Sequence, residues 1–250
     1  MVKVLLDKLD GLFAAIAQKE TLYIPTDTPT GAKYEKWSDG MKMSDALNTV
    51  RSPKDFFFPQ TENLMEFKTE GKKIEIIDIR RENEDFVLFG VKGCDVASFD
   101  VLDKVFLAEP VDSFYKNRRE HATVVSLACN RPHETCFCGT FGIDASAPGG
   151  DVVCIKTDDA LFMDAKTEKG EKLLSVIAEF TESTDGKEAA DTAGVIRERL
   201  KKLPLSSLSA EAFGDGKTSK FFDAPEWKEL SQTCLGCGTC TFVCPTCQCY

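Results

Sequence analysis

The chain has 250 residues and a formal net charge of −10, with 31 basic against 41 acidic side chains. A pI near 4.9 argues against nucleic acid as the main partner, because phosphate binding needs a basic surface. A hydrophobic content of 42%, with 18 Phe residues, excludes a disordered chain and allows one good core with room for a small appendage.

The N-terminal residues predict an amphipathic helix, because Leu5, Leu9, Leu12 and Ile16 recur with the spacing of one helical face. Charged side chains interrupt any apolar run there, so a signal peptide is not expected. The longest uncharged run, residues 230–250, is too polar for a membrane span. The sequence therefore predicts a soluble cytoplasmic protein without membrane association, where close-set cysteines are more often metal ligands or redox groups than disulfides.

Strands and helices alternate along the middle of the chain. β-branched and aromatic runs predict strands at 22–25 (closed by a proline), 74–79, 86–91, 122–128 and 151–157. Helical periodicity predicts one helix with Asp95 as its N-cap and two more over 169–180 and 188–203. Loops are predicted at 26–42 and 181–187. This alternation predicts an α/β fold, a mixed sheet with flanking helices.

A change of composition near residues 222–230 marks a second, smaller unit. Its start, Asp223-Ala224-Pro225-Glu226, is typical of a helix with proline in the first turn. We therefore predict a globular α/β domain over residues 1–222 and a cysteine-rich module over residues 223–250.

Eleven cysteines are the unusual feature of the composition, and six of them lie in the last 17 residues. Such clustering indicates a metal site rather than a disulfide scaffold. The eleven are Cys94, Cys129, Cys136, Cys138, Cys154, Cys234, Cys237, Cys240, Cys244, Cys247 and Cys249.

The tail has the spacing C-x2-C-x2-C-x3-C-P, which is the bacterial ferredoxin run for a [4Fe–4S] cluster. The run consists of Cys234, Cys237, Cys240, Cys244 and Pro245. Three thiolates must reach three corners of a compact cube, and the glycines between them permit the tight backbone path. Structural zinc is the alternative, but zinc sites usually use C-x2-C pairs with a longer spacer. The spacing therefore favours an iron–sulfur site.

The fourth ligand of this tail site is open. In two-cluster ferredoxins the fourth cysteine of the run ligates the other cluster, which would leave Cys244 to serve a second cube. The chain contains no second run of this spacing. Cys247 or Cys249 could complete a single cluster, a partner could supply the missing ligand, or the chain is a truncated form. Truncation is our hypothesis.

Cys94, Cys129, Cys136 and Cys138 form a second, looser ligand set. Cys94 and Cys129 each follow a predicted strand, and neighbouring strand ends could bring them together. Cys136 and Cys138 belong to a polar loop that is suited to wrapping a ligand. Four thiolates would satisfy one [4Fe–4S] cluster or one zinc ion, whereas the alternative makes Cys94 and Cys129 buried apolar side chains. Cys154, in mid-strand, is expected to be structural.

Three separated motifs carry a family resemblance: RSPKDFFFPQ at residues 51–60, GVKGCD at 90–95 and ETCFC at 134–138. Together they resemble the iron–sulfur beta subunit of cytoplasmic sulfhydrogenases, and the iron–sulfur component of anaerobic sulfite reductase is a close relative in the same dicluster family. The resemblance covers most of the chain from about Arg51. The tail resembles the family's first ferredoxin run, and the family continues into a second run that this sequence lacks.

The resemblance implies electron transfer between a catalytic subunit of hydrogenase or sulfite reductase type and a flavin-containing reductase subunit. It also implies a globular domain followed by a ferredoxin-like module. The upstream set Cys94, Cys129, Cys136 and Cys138 would then hold a [4Fe–4S] cluster on the globular domain. One or two further clusters would belong to the tail module when it is complete.

Other residues near these motifs have simpler interpretations. The FFFP stretch at residues 56–59 is expected to pack in the core rather than to shield a cluster, and Arg51 and Lys54 are expected to be solvated rather than to offset cluster charge. His133, three residues before Cys136, is not expected to be a ligand. We find no catalytic or nucleotide-binding motif. The leading interpretation is an iron–sulfur electron-transfer subunit, and the alternative is a zinc-binding interaction module without a redox role.

Overall fold

The computed structural model describes residues 1–82 and 84–248. Its ten strands are β1 (Val2–Leu5), β2 (Thr21–Thr28), β3 (Gly31–Lys36), β4 (Glu66–Glu70), β5 (Lys73–Ile77), β6 (Phe86–Val91), β7 (Ala122–Leu127), β8 (Val152–Lys156), β9 (Ala160–Ala165) and β10 (Glu182–Ser183). The seven α-helices in the same part of the chain are α1 (Leu9–Ala17), α2 (Gly93–Phe106), α3 (Ser113–His121), α4 (Glu168–Val176), α5 (Lys187–Lys201), α6 (Glu226–Leu230) and α7 (Thr239–Val243).

Eight of the strands form one mixed sheet in the order β10-β1-β9-β8-β7-β6-β2-β3. Its centre is parallel, because β2, β6, β7 and β8 run in the same direction. Towards the edges, β3 pairs with β2, β9 with β8, and β1 with β9 and β10, all antiparallel. The predicted α/β fold with a mixed sheet and flanking helices is confirmed.

Helices cover both faces of this sheet. On one face, α1 and α4 bury Phe13 and Leu173 against strand residues such as Phe89 and Val125. On the other face, α2 and α3 pack on β6 and β7, and α5 packs on β8 and β9. The parallel strands at the centre are therefore buried on both sides, as their nearly continuous apolar sequences require.

Several element boundaries differ from the sequence prediction. Leu5 belongs to β1 and the first α-helix begins at Leu9, because residues 2–5 pair with β9. Pro25 does not close its strand. β2 pairs with β6 only over Thr21–Tyr23, so from Pro25 onward its side towards β6 tolerates the missing N–H of proline, while pairing with β3 continues. The predicted loop at 26–42 contains the partner strand β3, and β10 lies in the predicted loop at 181–187.

Two further differences concern the strand predicted at 74–79 and the start of α2. The run at 74–79 forms part of a separate hairpin, β4–β5, where Ile74 and Ile76 are exposed, so it adds nothing to the main sheet. Helix α2 begins at Gly93 after an N-cap at Lys92, three residues before the predicted N-cap at Asp95. The sequence prediction also missed β9 and α3.

After α5 the chain follows the surface in short 3₁₀ turns and the short helices α6 and α7. The division at residue 222 and the ferredoxin-like character of the tail stay predictions. Among the residues that the structure describes, no helix combines the length and the apolar character needed to cross a membrane.

Candidate metal centre

The upstream cysteines lie at the edge where the central parallel strands end. Cys94 is in the first turn of α2, just after β6, and Cys129 lies two residues beyond the end of β7. Strands β6 and β7 are parallel neighbours, with Val91 opposite Ser126. The carboxyl ends of parallel strands meet at one edge, and the structure brings these two cysteines to the same edge.

The loop after Cys129 folds back over this edge. The backbone N–H of Cys129 donates to Ala145 O at 2.8 Å, and the N–H of Ile143 donates to Cys138 O at 3.1 Å. The returning loop packs closely on Gly93, where a Cβ atom would lie 3.2 Å from the Cβ of Pro148. The absence of a side chain at Gly93 therefore lets the loop with Cys136 and Cys138 approach the start of α2.

The four upstream thiols interact with one another. The thiols of Cys94 and Cys138 are hydrogen-bonded; this bond raises the pKa of Cys94 and lowers the pKa of Cys138 to about 7. Burial raises the pKa of Cys129, and the nearby Cys136 and Cys138 add to that effect. Cys94 therefore interacts with Cys138, and Cys129 lies within electrostatic reach of Cys136 and Cys138, while the grouping of all four into one ligand set stays a prediction.

The ligand set has the chemistry of a thiolate-bound metal centre. Four thiols match the number and softness of ligands that a [4Fe–4S] cluster or a zinc ion requires. Within residues 1–82 and 84–248, no group of three or more His, Cys, Asp or Glu side chains is arranged to hold a single metal ion. The donor set therefore fits a thiolate-bound metal centre by its chemistry, and the assignment of these cysteines as ligands stays a prediction.

Charged groups surround the upstream site. Burial lowers the pKa of Lys92, while Cys129 and Cys94 act in the opposite direction, so this ammonium lies within electrostatic reach of both thiols. Burial raises the pKa of Asp95 to about 6, against the effects of a hydrogen bond from Ser52 and the charge of Lys92. The edge therefore places a cation beside the thiols, which would oppose the negative charge of thiolates.

The individual expectations for this region have different outcomes. Cys94 is exposed, so the alternative of a buried apolar side chain is wrong for it, whereas Cys129 is buried. Cys154 is fully buried in β8, as expected of a structural residue. The ring of His133 contacts Thr135 Oγ1 at 2.9 Å, and its backbone N–H donates to Cys136 Sγ at 3.2 Å. His133 thus acts on the site through its backbone.

A polar cleft of about 500 Å³ opens beside Cys129. Its lining includes the basic side chains Lys92, Arg131, Lys156 and Arg199, together with several carboxylates. The cysteine site therefore borders a charged opening at the carboxyl ends of the strands, where ligands of open α/β sheets commonly bind.

The tail cysteines lie in a different setting. Gly236 and Gly238 adopt φ values of 68° and 72°, the left-handed conformation that glycine permits, and α7 follows directly. Cys234, Cys237 and Cys240 are exposed. Their described contacts are local: Cys234 Sγ accepts from the Gly236 N–H, and Cys237 Sγ contacts Thr239 Oγ1.

The end of the described tail is more enclosed. Cys244 and Cys247 are half-buried. Burial would raise the pKa of Cys244, but hydrogen bonds with Thr246 and Cys247 outweigh it and lower the value to about 7. Cys249, the other residue considered for completing the tail site, lies outside the described residues. The contacts of Cys244 pair it with Cys247, and the ligand set of the tail stays a prediction.

The sequence analysis missed the role of Lys54. Its side chain is only 4% exposed, so the expectation of a solvated lysine is wrong. The ammonium donates to Cys244 O at 2.6 Å and to Cys247 O at 2.9 Å, and the Arg51 guanidinium lies 4.8 Å from the centre of the Phe242 ring. One signal was available, since Lys54 lies inside the RSPKDFFFPQ motif.

The aromatic residues that follow Lys54 pack in the core, as the sequence analysis expects. Phe57 is fully buried and packs edge-on against Phe99 of α2, with ring centres 4.8 Å apart. Phe56 is partly buried in the same cluster. Core packing of this stretch is confirmed.

No family model matches the chain, and no solved structure matches it. The chain is 32% identical over 206 residues to the curated protein named sulfhydrogenase 2 subunit beta from Pyrococcus furiosus. The match covers 82% of this chain and 59% of that relative, so the chain spans about three fifths of the relative's length. The resemblance predicted from the three motifs is therefore confirmed, and over the part that aligns the chain is similar to a sulfhydrogenase beta subunit.

Proposed function

We propose that the chain is an iron–sulfur electron-transfer subunit of a hydrogenase-type complex in the cytoplasm. It would relay electrons between a catalytic subunit of hydrogenase or sulfite reductase type and a flavin-containing reductase subunit. The observation that carries the proposal is that Cys94 and Cys129 follow the neighbouring parallel strands β6 and β7, with the Cys138 thiol beside Cys94. The relative is a sulfhydrogenase subunit, which supports the class of complex.

In this proposal the upstream set holds a [4Fe–4S] cluster, with Cys94 and Cys129 contributed by the strand ends and Cys136 and Cys138 by the returning loop. When bound, such a cluster supplies one-electron exchange without making or breaking a bond to a substrate. The chain holds the thiolates in place, and the buried sheet on the core side limits the access of water. Both burial and hydrogen bonds to sulfur tune the reduction potential of a cluster.

Two groups of the chain would stabilise the more negative, reduced state. The ammonium of Lys92 is within electrostatic reach of Cys94 and Cys129. The His133 backbone N–H already donates to Cys136 Sγ. Positive charge and N–H donors beside the sulfurs both raise the potential of a cluster.

For the tail we propose that Cys234, Cys237 and Cys240 hold a second cluster, with Cys244 as the fourth cysteine of the run. The spacing of the run and the left-handed glycines between its members support this assignment. We assign no acid, base or nucleophile to this chain, because electron relay requires none. Catalysis would then belong to a partner subunit.

Iron and acid-labile sulfide counting on the anaerobically purified chain tests the proposal. We expect iron with an equivalent amount of sulfide, and we expect Cys136→Ala and Cys237→Ala each to remove a separate share of both. Cys154→Ala is the matched control, because the Cys154 side chain is fully buried in the apolar core, and its iron content should equal that of the wild type. Zinc without sulfide would overturn the proposal in favour of an interaction module.

A further inference from the structure

A four-residue segment of the RSPKDFFFPQ motif contacts both cysteine regions. We call it the bridge segment; it consists of Arg51, Ser52, Pro53 and Lys54. At one end it is bonded to the residue that follows Cys94, and at the other end it is bonded to the backbone of the cysteine tail. The two regions that the bridge segment joins are far apart in sequence.

The first contact ties the bridge segment to the upstream site. Ser52 Oγ donates to Asp95 Oδ1 at 2.9 Å and accepts the backbone N–H of Lys54 at 3.2 Å, which begins the 3₁₀ turn Pro53–Phe56. Directly after this turn, Phe57 is buried against α2. Because α2 begins with Cys94 in its first turn, the bridge segment is fixed to the element that carries an upstream cysteine.

The second contact ties the bridge segment to the tail. The buried ammonium of Lys54 donates to the carbonyl oxygens of Cys244 and Cys247, and Arg51 stacks on the ring of Phe242. The ammonium bonds the backbone carbonyl oxygens of Cys244 and Cys247 rather than their thiols. Its positive charge lies beside two cysteines of the tail.

The pattern of exposure shows where the tail is held. From residue 206 to residue 240 every residue is exposed except Ala224. Burial resumes at residues 241–245 and at Cys247, which are the residues around the contacts with Lys54 and Arg51. The tail thus crosses the surface with little cover until it reaches the bridge segment.

We propose that the bridge segment is an internal docking site that holds the cysteine tail against the globular domain, with Lys54 as its positioning residue. Docking keeps the upstream and tail cysteine sites at a fixed separation, which electron exchange between two bound clusters needs. The proposal deepens the electron-transfer function and rests on it for this purpose. The docking contact itself is independent of any metal.

Hydrogen–deuterium exchange of the anaerobically purified full chain tests the docking. In Lys54→Met, the carbonyls of Cys244 and Cys247 lose their charged donor, and we expect amides in residues 239–248 to exchange about tenfold faster than in the wild type. Lys54→Arg keeps the charge and the donors and should recover part of the protection. Lys68→Met, a change at an exposed lysine of β4, is the matched control and should leave the tail unchanged.

A magnetic measurement tests the purpose of docking. Where iron and sulfide counting finds both sites loaded, the reduced wild type should show spin–spin interaction between the clusters, and Lys54→Met should lose it at unchanged iron content. Interaction that persists in the variant would overturn the fixed separation. Absence of iron from the wild type would overturn the proposed function alone, because the exchange comparison still tests the docking.

Unchanged tail exchange in Lys54→Met overturns the docking site. Exchange within β7 serves as the folding control, since a variant that unfolds would lose protection there as well. If Lys54→Met unfolds, Arg51→Leu provides the second test. It removes the stacking on Phe242 together with the ion pair to Asp55, which lies within the same short turn and does not contact the tail. Arg51→Leu should speed amide exchange around Phe242 and leave exchange in β7 unchanged. Exchange around Phe242 at the wild-type rate would contradict the proposal.

Discussion

The upstream and tail cysteines differ in what holds them. The upstream thiols are attached to a buried sheet, a fourteen-residue helix and a loop that is hydrogen-bonded back to its own start. The tail thiols belong to an exposed segment in which the helix α7 has only five residues. The upstream cysteines are therefore held by core elements of the fold, whereas the tail cysteines have few contacts with the core outside the bridge segment.

Removing the metal should expose this difference most strongly. In the apo chain we expect amides of residues 239–248 to exchange roughly hundredfold faster, because a tightly bound ligand contributes that much protection. Amides of β7 should change little, since their stability comes from the core. Hydrogen–deuterium exchange before and after anaerobic chelation measures both regions. Equal loss of protection in β7 would show that the upstream region also depends on the metal for its order.

Gly93→Val should damage the upstream site selectively. The added side chain meets the returning loop at Pro148 and Ile143, and overpacking of this kind costs about 2 kcal/mol. Iron counting should show loss of the upstream share and retention of the tail share, and chemical denaturation should report the stability change.

Gly194→Val is the matched control for that change, because a Cβ atom at Gly194 meets no atom within 4 Å. Its iron content should equal that of the wild type. Loss of the tail share in Gly93→Val would refute the separation of the two sites.

Asp103→Asn should weaken the helix pair behind the upstream site by about 1 kcal/mol at pH 7, a value reduced for partial solvent exposure. Burial would raise the pKa of Asp103, but hydrogen bonds from Arg119 and Tyr115 outweigh it and lower the pKa. The carboxylate therefore stabilises the fold above the pKa of an unfolded aspartate, and this contribution is lost as the pH falls below about 4.

Denaturant titrations at pH 7 and pH 3 measure this dependence. The difference between the wild type and Asp103→Asn should be largest at pH 7 and shrink at pH 3. Asp100→Asn, an exposed change on the same helix, should show no such pH dependence. A difference that grows towards low pH would have the wrong sign for this interpretation.

His133→Ala should have the smallest effect, below about 0.5 kcal/mol with unchanged iron content, because the donor to Cys136 Sγ is a backbone N–H. His133→Pro removes that N–H and should weaken iron binding at the upstream site. Iron loss in His133→Ala would instead identify the ring as a ligand.

The sequence allowed the positions of Cys94 and Cys129 after two neighbouring strands to be predicted, because these positions depend on local patterns. The apolar runs of β6 and β7 are long enough to recognise, and cysteines that follow two parallel strands must approach one edge. The approach of the loop to Gly93 was not predictable in the same way, since it depends on which residues of the loop turn back. The contact with Pro148 joins positions that no short-range pattern connects.

Other predictions from the sequence were wrong for similar physical reasons. Pro25 has the signature of a strand end, but its strand continues because pairing with β6 ends at Tyr23, so the missing N–H breaks no ladder bond there. Ile74 and Ile76 have strand-forming side chains, yet their hairpin lies outside the core, and propensity does not distinguish the two settings. Lys54 was assigned to solvent from its charge, whereas its carbonyl partners are supplied by the tail.

The bond between Lys54 and Cys244 also bears on the order in which the molecule forms. It joins residues 190 positions apart, the kind of contact that closes late because a long loop must be restrained first. During synthesis the globular domain emerges long before its partner in the tail, and domains fold as units as they emerge. The cysteine tail then settles after the sheet beneath it is complete, and until then its thiols are accessible to a metal.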